Sequence, residues 1–323
     1  MNASAPAGDL KALLARADDF AARGDVRAAV AFYQTALKSV RDVRGVEPQT
    51  VAALQRAQAF VVAQARDFEQ SLQKATGASP ADPVAALRLS HSLDLLKGQR
   101  QVYPQQPSVL YYPYLAQRQF FERGEFDWVP ALEAATPVIR EELVALVDEG
   151  ADFRPYVENH PDRPHRDFHG LNENRDWTAL YLWRDGKVVE GNASRCPNTM
   201  AALEQVPLSR IGSRTPAVLF SRLEPGAHIP PHSGMLNCRL ICHLPLIVPN
   251  GCWLRVGNET REWEEGKLLI FDDSIEHEAK NPSGELRIIL LFDIWRPELR
   301  EDERTAISGI FDAIDRFQGI PED

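Results

Sequence analysis

The sequence predicts an α+β protein: an N-terminal α-helical region followed by a small β-barrel. Three observations predict it. Between residues 10 and 40 apolar side chains recur at three- and four-residue spacing, the period of an amphipathic helix. From Phe220 to Leu299 short β-branched and aromatic runs alternate with Pro, Gly and Asn turn signals. Within that stretch His232 and His277 each stand at the edge of a strand-like run, and Arg287 opens another.

The helical region comes first. Leu13, Ala17 and Phe20 share one face, as do Ala29, Tyr33 and Ala36, and Gly24-Asp25 separates the two helices. The pair is similar to one tetratricopeptide repeat, although the proline that usually closes such a repeat is absent near Arg41. A third helix is expected from about Glu47 to Lys74. No clear second repeat follows, and a solenoid needs several. The region is therefore either a partner-binding platform or a helical cap on the next domain. Residues 75–82 form a small polar link, and 83–98 return to helix with Leu89, Leu93 and Leu96 on one face. The proline- and tyrosine-rich stretch 103–114 reads as an extended connection lying on the next domain. The expected boundaries are 1–78 for the tetratricopeptide-like region, 79–125 for the connection, 126–300 for the barrel domain and 301–323 for a C-terminal helix.

In the barrel domain a helix is expected from about Pro130 to Glu149, with Val138, Leu143 and Leu146 facing inward. His160, His165 and His169 follow in a polar loop whose spacing fits no zinc pattern. Trp177, Leu180 and Leu182 mark the first strand, and Ala217–Leu223 a second that turns Ser221 inward. In HIPPH, Pro230 and Pro231 exclude the zinc-binding helix that His228 and His232 otherwise suggest. Alternation puts Arg239, Ile241 and His243 on one strand face and Cys238 and Cys242 on the other. Asn250-Gly251 signals a hairpin. Lys267–Phe271 and Arg287–Trp295 are the last strong strands, and Ile307, Ile310, Phe311, Ile314 and Phe317 form the apolar stripe of the terminal helix.

The chemistry suggested by these residues is that of an iron site. A non-haem Fe(II) oxygenase needs a few N and O ligands on one side of the metal and open positions on the other. Two histidines on adjacent strands supply two such ligands. A buried arginine needs a carboxylate, and its planar guanidinium suits the far end of a dicarboxylate cosubstrate.

The motifs PGAHIPPHSG, NCRLICHLPL, EEGKLLIFDDSIEHEAKN and DIWRPEL resemble the aspartyl/asparaginyl β-hydroxylase family of Fe(II)- and 2-oxoglutarate-dependent oxygenases. The likeness covers roughly residues 170–300. It implies a double-stranded β-helix (jelly-roll, cupin-like) catalytic domain. It implies that His232 and His277 hold Fe(II), that Arg287 with Ser221 holds the distal carboxylate of 2-oxoglutarate, and that His243 contacts its carboxylate near the metal. The reaction implied consumes O₂ and releases succinate and CO₂ as it hydroxylates the β-carbon of an Asp/Asn-like residue or amino acid. The family lacks the usual carboxylate ligand, and Gly234 stands where it would be. Asp272 and Asp273 are expected to shape the turn before His277 instead. Many members carry a second arginine where this chain has Ile241, so the substrate side is expected to differ, with Arg239, Ile241 and Asn192 as candidate contacts.

Composition bounds the rest. The chain of 323 residues is 44% hydrophobic and 25% charged, with a net charge of −10. That balance argues against nucleic acid or an acidic membrane as partner. No apolar run suggests a span or a signal peptide. Four cysteines without an export signal are expected to be reduced thiols in a cytoplasm. The expected partners are an amino-acid or peptide/protein substrate and, through the N-terminal helices, a protein. Two other readings stand beside hydroxylation: a non-catalytic helical scaffold with a degenerate barrel, and a halogenase using the position left open at Gly234.

Overall fold

The computed structural model describes residues 7–317 apart from 41, 43, 45, 78, 79, 160–163, 165 and 166. It divides into two compact units, Met1–Gln101 and Val102–Asp323. The first unit is helical: α1 (Ala7–Ala22), α2 (Val26–Ser39), α3 (Pro48–Thr76) and α4 (Pro83–Leu96). Gly24 takes a left-handed φ of 77° between α1 and α2, which favours glycine there. Asp25 then caps α2 by accepting from the backbone N–H of Ala28 at 3.0 Å. Leu10, Leu14 and Ala17 pack against Ala29, Tyr33 and Ala36, and Leu54 and Ala57 of α3 close this small core. The expected faces are thus the buried ones, with Leu13 and Phe20 at the margin. The repeat-closing position, Arg41, lies outside the described residues.

The second unit is built on two antiparallel sheets. Its strands are β1 (Phe120–Phe121), β2 (Arg154–Pro155), β3 (Trp177–Arg184), β4 (Lys187–Val188), β5 (Val218–Leu223), β6 (His228–His232), β7 (Arg239–Ile247), β8 (Trp253–Val256), β9 (Glu259–Glu262), β10 (Leu269–Phe271), β11 (His277–Lys280) and β12 (Arg287–Trp295). The larger sheet runs β1-β10-β7-β12-β5-β3-β2, with β4 beside β3; the smaller runs β6-β11-β8-β9. The chain passes back and forth between the two, as in a double-stranded β-helix.

Strand alternation sorts the larger sheet into two cores. One face carries Leu180, Leu182, Val218, Phe220, Leu240, Cys242, Leu244, Ile288, Leu290 and Phe292. Helices α5 (Val129–Ala134), α6 (Thr136–Asp148) and α8 (Pro197–Leu203) cover it, after the single turn α7 (Glu190–Ala193). The other face carries Ala179, Leu219, Ile241, Ile289 and Leu291, which meet Ile229, Leu254, Val256 and Ala279 of the smaller sheet. Because β7 and β12 are covered on both sides, their sequences read as nearly unbroken apolar runs. The connection 103–114 does run along this unit, with bridges from Gln105 to Ile275 and from Leu110 to Leu236.

Three expectations change. The helix expected over 130–149 is two helices that break at Ala135, one residue after α5 and two before Pro137. The face of α6 that is buried is Ile139, Leu143 and Leu146, while Val138 is 40% exposed. Ile139 and Leu143 are one turn apart, and Val138 lies about 100° away from Ile139 around the helix. Asn250-Gly251 closes no hairpin, because β7 and β8 belong to different sheets; β8 and β9 pair instead, through Gly257 at φ 56°. In α9 (Glu301–Phe317) Ile307 and Phe311 are buried but Phe317 is 93% exposed.

Candidate active site

The site lies between the two sheets, in a cavity of about 270 Å³. Strand β6 pairs with β11 so that His232 and His277 are directly opposite. Their rings lie 4.1 Å apart, centroid to centroid. Each ring is held by a carbonyl two residues upstream: Nδ1 of His232 lies 2.7 Å from O of Pro230, and Nδ1 of His277 lies 3.1 Å from O of Ile275. A carbonyl oxygen only accepts, so Nδ1 carries the proton and, in the neutral ring, Nε2 keeps the lone pair. Burial favours that neutral form. It pulls the His277 pKa down to about 3, with His232 adding to the effect, and lowers that of His232 as well. Fixing one ring nitrogen to orient the other is how metal-binding imidazoles are set. Among the described residues no group of three or more His, Cys, Asp or Glu side chains is arranged to hold a metal. The donor set at this place is two imidazoles.

Arg287, at the start of β12, lines the same cavity and is 1% exposed. It has no carboxylate partner among the described residues. Its Nη1 donates to the carbonyl of Ser221 at 3.4 Å, its Nε is buried without a partner, and its guanidinium lies 4.7 Å from the Trp263 ring centroid. Burial lowers its pKa to about 10. The Ser221 hydroxyl, across the β5–β12 ladder, accepts from Nε1 of Trp177 at 3.1 Å. His243 faces inward from β7, its Nδ1 buried and unpartnered and its ring edge-on to Phe271 at 4.9 Å. Burial and the nearby Arg287 charge hold His243 neutral, with its pKa well below the usual value. A buried cation that meets no acid among the described residues, beside a buried ring nitrogen without a hydrogen-bond partner, has the chemistry of a carboxylate subsite.

Arg239 and Ile241 also line the cavity. Arg239 is already engaged: Nη2 donates to Oδ2 of Asp273 at 3.1 Å, and Nε lies 3.6 Å from Oδ2 of Asp293. Burial pushes both carboxyls up to a pKa of about 6, against the pull of Arg239. Asn192 lies outside the cavity, in α7, where its amide donates to the carbonyl of Tyr181 at 2.8 Å. The two turn aspartates part company. Asp272 accepts from Ser274 and binds Arg296 at 2.7 Å and Gln105 at 2.6 Å, which is a turn-shaping role. Asp273 lines the cavity, hard against Gly234: a Cβ added at Gly234 would sit 2.0 Å from Oδ2 of Asp273. Neither this contact nor the aromatic wall of Tyr156 and Phe168 is signalled by local spacing. Phe168 meets the His232 ring edge-on at 5.2 Å, and Tyr156 stacks on Trp177 at 3.9 Å. Of the loop histidines, His169 lies beside Phe168 and does not line the cavity, and His160 and His165 fall outside the described residues.

The profile of aspartyl/asparaginyl β-hydroxylases matches residues 133–297, about half of the chain and all of the paired strands that carry these side chains. The chain belongs to the aspartyl/asparaginyl β-hydroxylase family. It is 38% identical over 191 residues to the human aspartyl/asparaginyl β-hydroxylase, covering 58% of this chain and 24% of that protein. It is 34% identical over 191 residues to the ornithine lipid ester-linked acyl 2-hydroxylase of Rhizobium tropici, covering 58% and 64%. It is 36% identical over 139 residues to human aspartate β-hydroxylase domain-containing protein 2, covering 42% and 38%. The matched stretch is thus about a quarter of the first relative's length and less than two thirds of the second's. The family's double-stranded β-helix is the architecture found in the second unit. No helix among the described residues is long and apolar enough to cross a membrane.

Proposed function

We propose that this chain is an Fe(II)- and 2-oxoglutarate-dependent dioxygenase that hydroxylates an unactivated C–H, at the β-carbon of an Asp/Asn-like residue or amino acid. The observation that carries the proposal is one cavity lined by two unlike sets of side chains. Two neutral imidazoles with oriented lone pairs stand 4.1 Å apart in it, and a buried arginine with no acid partner among the described residues lines the same space. Imidazole suits ferrous iron, and Arg287, which meets no acid among the described residues and whose Nε is buried without a partner, suits the distal carboxylate of 2-oxoglutarate. Bound there, the metal and cosubstrate supply the oxidising chemistry: O₂ and 2-oxoglutarate are consumed, succinate and CO₂ leave, and one oxygen atom enters the C–H bond.

The protein's own part is binding and orientation. His232 and His277 present Nε2, steadied by the Pro230 and Ile275 carbonyls. Arg287, with Ser221 beside it, fixes the far end of the cosubstrate. His243 offers a ring nitrogen to its nearer carboxylate. Trp263, Phe271 and Leu291 belong to the apolar cluster packed around these side chains. Arg239 and Ile241 face the substrate side. The names of the human and Rhizobium relatives span amino-acid and acyl hydroxylation. The polar Arg239–Asp273 pair in the cavity wall favours an amino-acid-like group here. A cytoplasmic location belongs to the proposal and rests on four free, buried thiols.

The test is succinate formation from 2-oxoglutarate with a library of amino acids and peptides. Turnover that needs Fe(II) and is lost in His232→Ala supports the proposal. Iron-loaded protein that yields neither succinate nor a hydroxylated product contradicts it, and points to the scaffold reading. A product that requires halide points to the halogenase.

A further inference from the structure

The cavity holds two arginines in opposite states, and the difference bears on the substrate. The charged side chains lining it are Arg287, Arg239 and Asp273. Arg287 has no acid partner among the described residues, which leaves its charge available to a carboxylate. Arg239 is held by Asp273 at 3.1 Å and flanked by Asp293 at 3.6 Å. The Arg239–Asp273 pair still leaves polar atoms unmet among the described residues: besides Nε of Arg239, which has only Asp293 at 3.6 Å, Nη1 of Arg239 and Oδ1 of Asp273 are buried without a hydrogen-bond partner. One is a donor and the other an acceptor, on two side chains joined by a hydrogen bond.

Resting on the oxygenase reading above, we propose that Arg239 and Asp273 select a carboxamide over a carboxylate on the substrate. A carboxamide both accepts and donates. Its oxygen accepts from Nη1 of Arg239 while its NH₂ donates to Oδ1 of Asp273, which satisfies these two atoms and leaves Nε of Arg239 facing Asp293. A carboxylate only accepts. It would satisfy Arg239 but bring a third negative group to a cluster in which one guanidinium already faces two carboxyls. Ile241, next along the same strand face, adds no cation to offset it. Asp273 has no room to withdraw on one side. Its carboxylate packs against Gly234, where even a Cβ would come within 2.0 Å, and its own carbonyl accepts from the Gly234 N–H at 2.7 Å. A site whose fixed polar atoms would be left unpaired or opposed by the wrong ligand discriminates strongly.

The test uses the full chain and two probes that differ only in the side-chain group: N-acetyl-asparagine N-methylamide and N-acetyl-aspartate N-methylamide. Binding is measured by calorimetry at pH 8, with and without anaerobic Fe(II) and 2-oxoglutarate. The asparagine probe is expected to bind at least about tenfold more tightly. In Asp273→Asn, whose side chain can donate to a carboxylate, the preference is expected to fall to near unity or reverse, with the circular dichroism spectrum unchanged. Equal binding, a preference for the aspartate probe, binding of neither, or an unchanged ratio in folded Asp273→Asn overturns the proposal. The wild-type ratio decides even where the variant does not fold. An asparagine preference without any Fe(II)–2-oxoglutarate complex would sink the oxygenase reading and leave this inference standing. The complex without the preference would do the reverse.

Discussion

Arg287 shows how one residue divides stability from function. A guanidinium buried without an acid is costly, and replacing buried charge by apolar atoms often stabilises by about 1–4 kcal/mol. Arg287→Met is therefore expected to raise the Tm of the metal-free protein by a few degrees, and to weaken 2-oxoglutarate binding by about 100-fold. Thermal melts and cosubstrate titration read the two effects. A lowered Tm with unchanged cosubstrate affinity would mean that Arg287 is an ordinary core residue. Asp293 makes a prediction in pH. Burial raises its carboxyl pKa to about 6, so folding favours the protonated form. That contribution is full below the unfolded value near 4 and is lost as pH rises through 6. Asp293→Asn stays neutral, so its Tm relative to wild type is expected to rise between pH 4 and 7; a flat difference contradicts the assignment. At this scale the sequence was partly legible. Alternation along β7 put Arg239, Ile241 and His243 on the inner face and the cysteine on the outer, as found. The inward turn of Asp273 was not legible, because it depends on packing against Gly234 from another strand's loop.

The elements position the site through two ladders. β6 against β11 brings the histidines face to face, and β12 against β5 sets Arg287 beside Ser221. The loop after β6 is tightly constrained. Gly234→Ala is expected to lower the Tm, because Asp273 must move, whereas Gly284→Ala meets nothing within 4 Å and is the control. Equal melting of the two variants would remove the argument that this contact is fixed. In the centre of the larger sheet, Leu290→Ala is expected to cost about 2–5 kcal/mol by leaving a cavity between β12 and the covering helices, measured by denaturant unfolding. Strand identity was legible because β7 and β12 are rich in β-branched and apolar residues covered on both faces. Strand partnership was less so. Asn250-Gly251 carries a local turn signal, yet the chain crosses there from one sheet to the other, and no local signal tells which sheet comes next. The break at Ala135 was missed because the apolar period continues nearly in phase from α5 into α6.

The whole chain consists of two units that each bury a core of their own. Residues 102–323 expressed alone are therefore expected to unfold cooperatively and to bind 2-oxoglutarate; loss of cooperative unfolding would show that the barrel depends on the helices. The helical character of the first unit was legible from periodicity, since its faces follow local spacing. The cavity was not, because it is enclosed by residues from distant parts of the chain, such as Tyr156, Trp177, Arg239 and His277. The measurement that bears most directly on the account is an anaerobic titration of Fe(II) and 2-oxoglutarate into wild type and His277→Ala, followed by ultraviolet–visible absorption. A weak metal-to-ligand charge-transfer band in wild type alone is the predicted result. No band in wild type, with the iron confirmed reduced, would contradict the account and turn attention to the N-terminal helices and their partners.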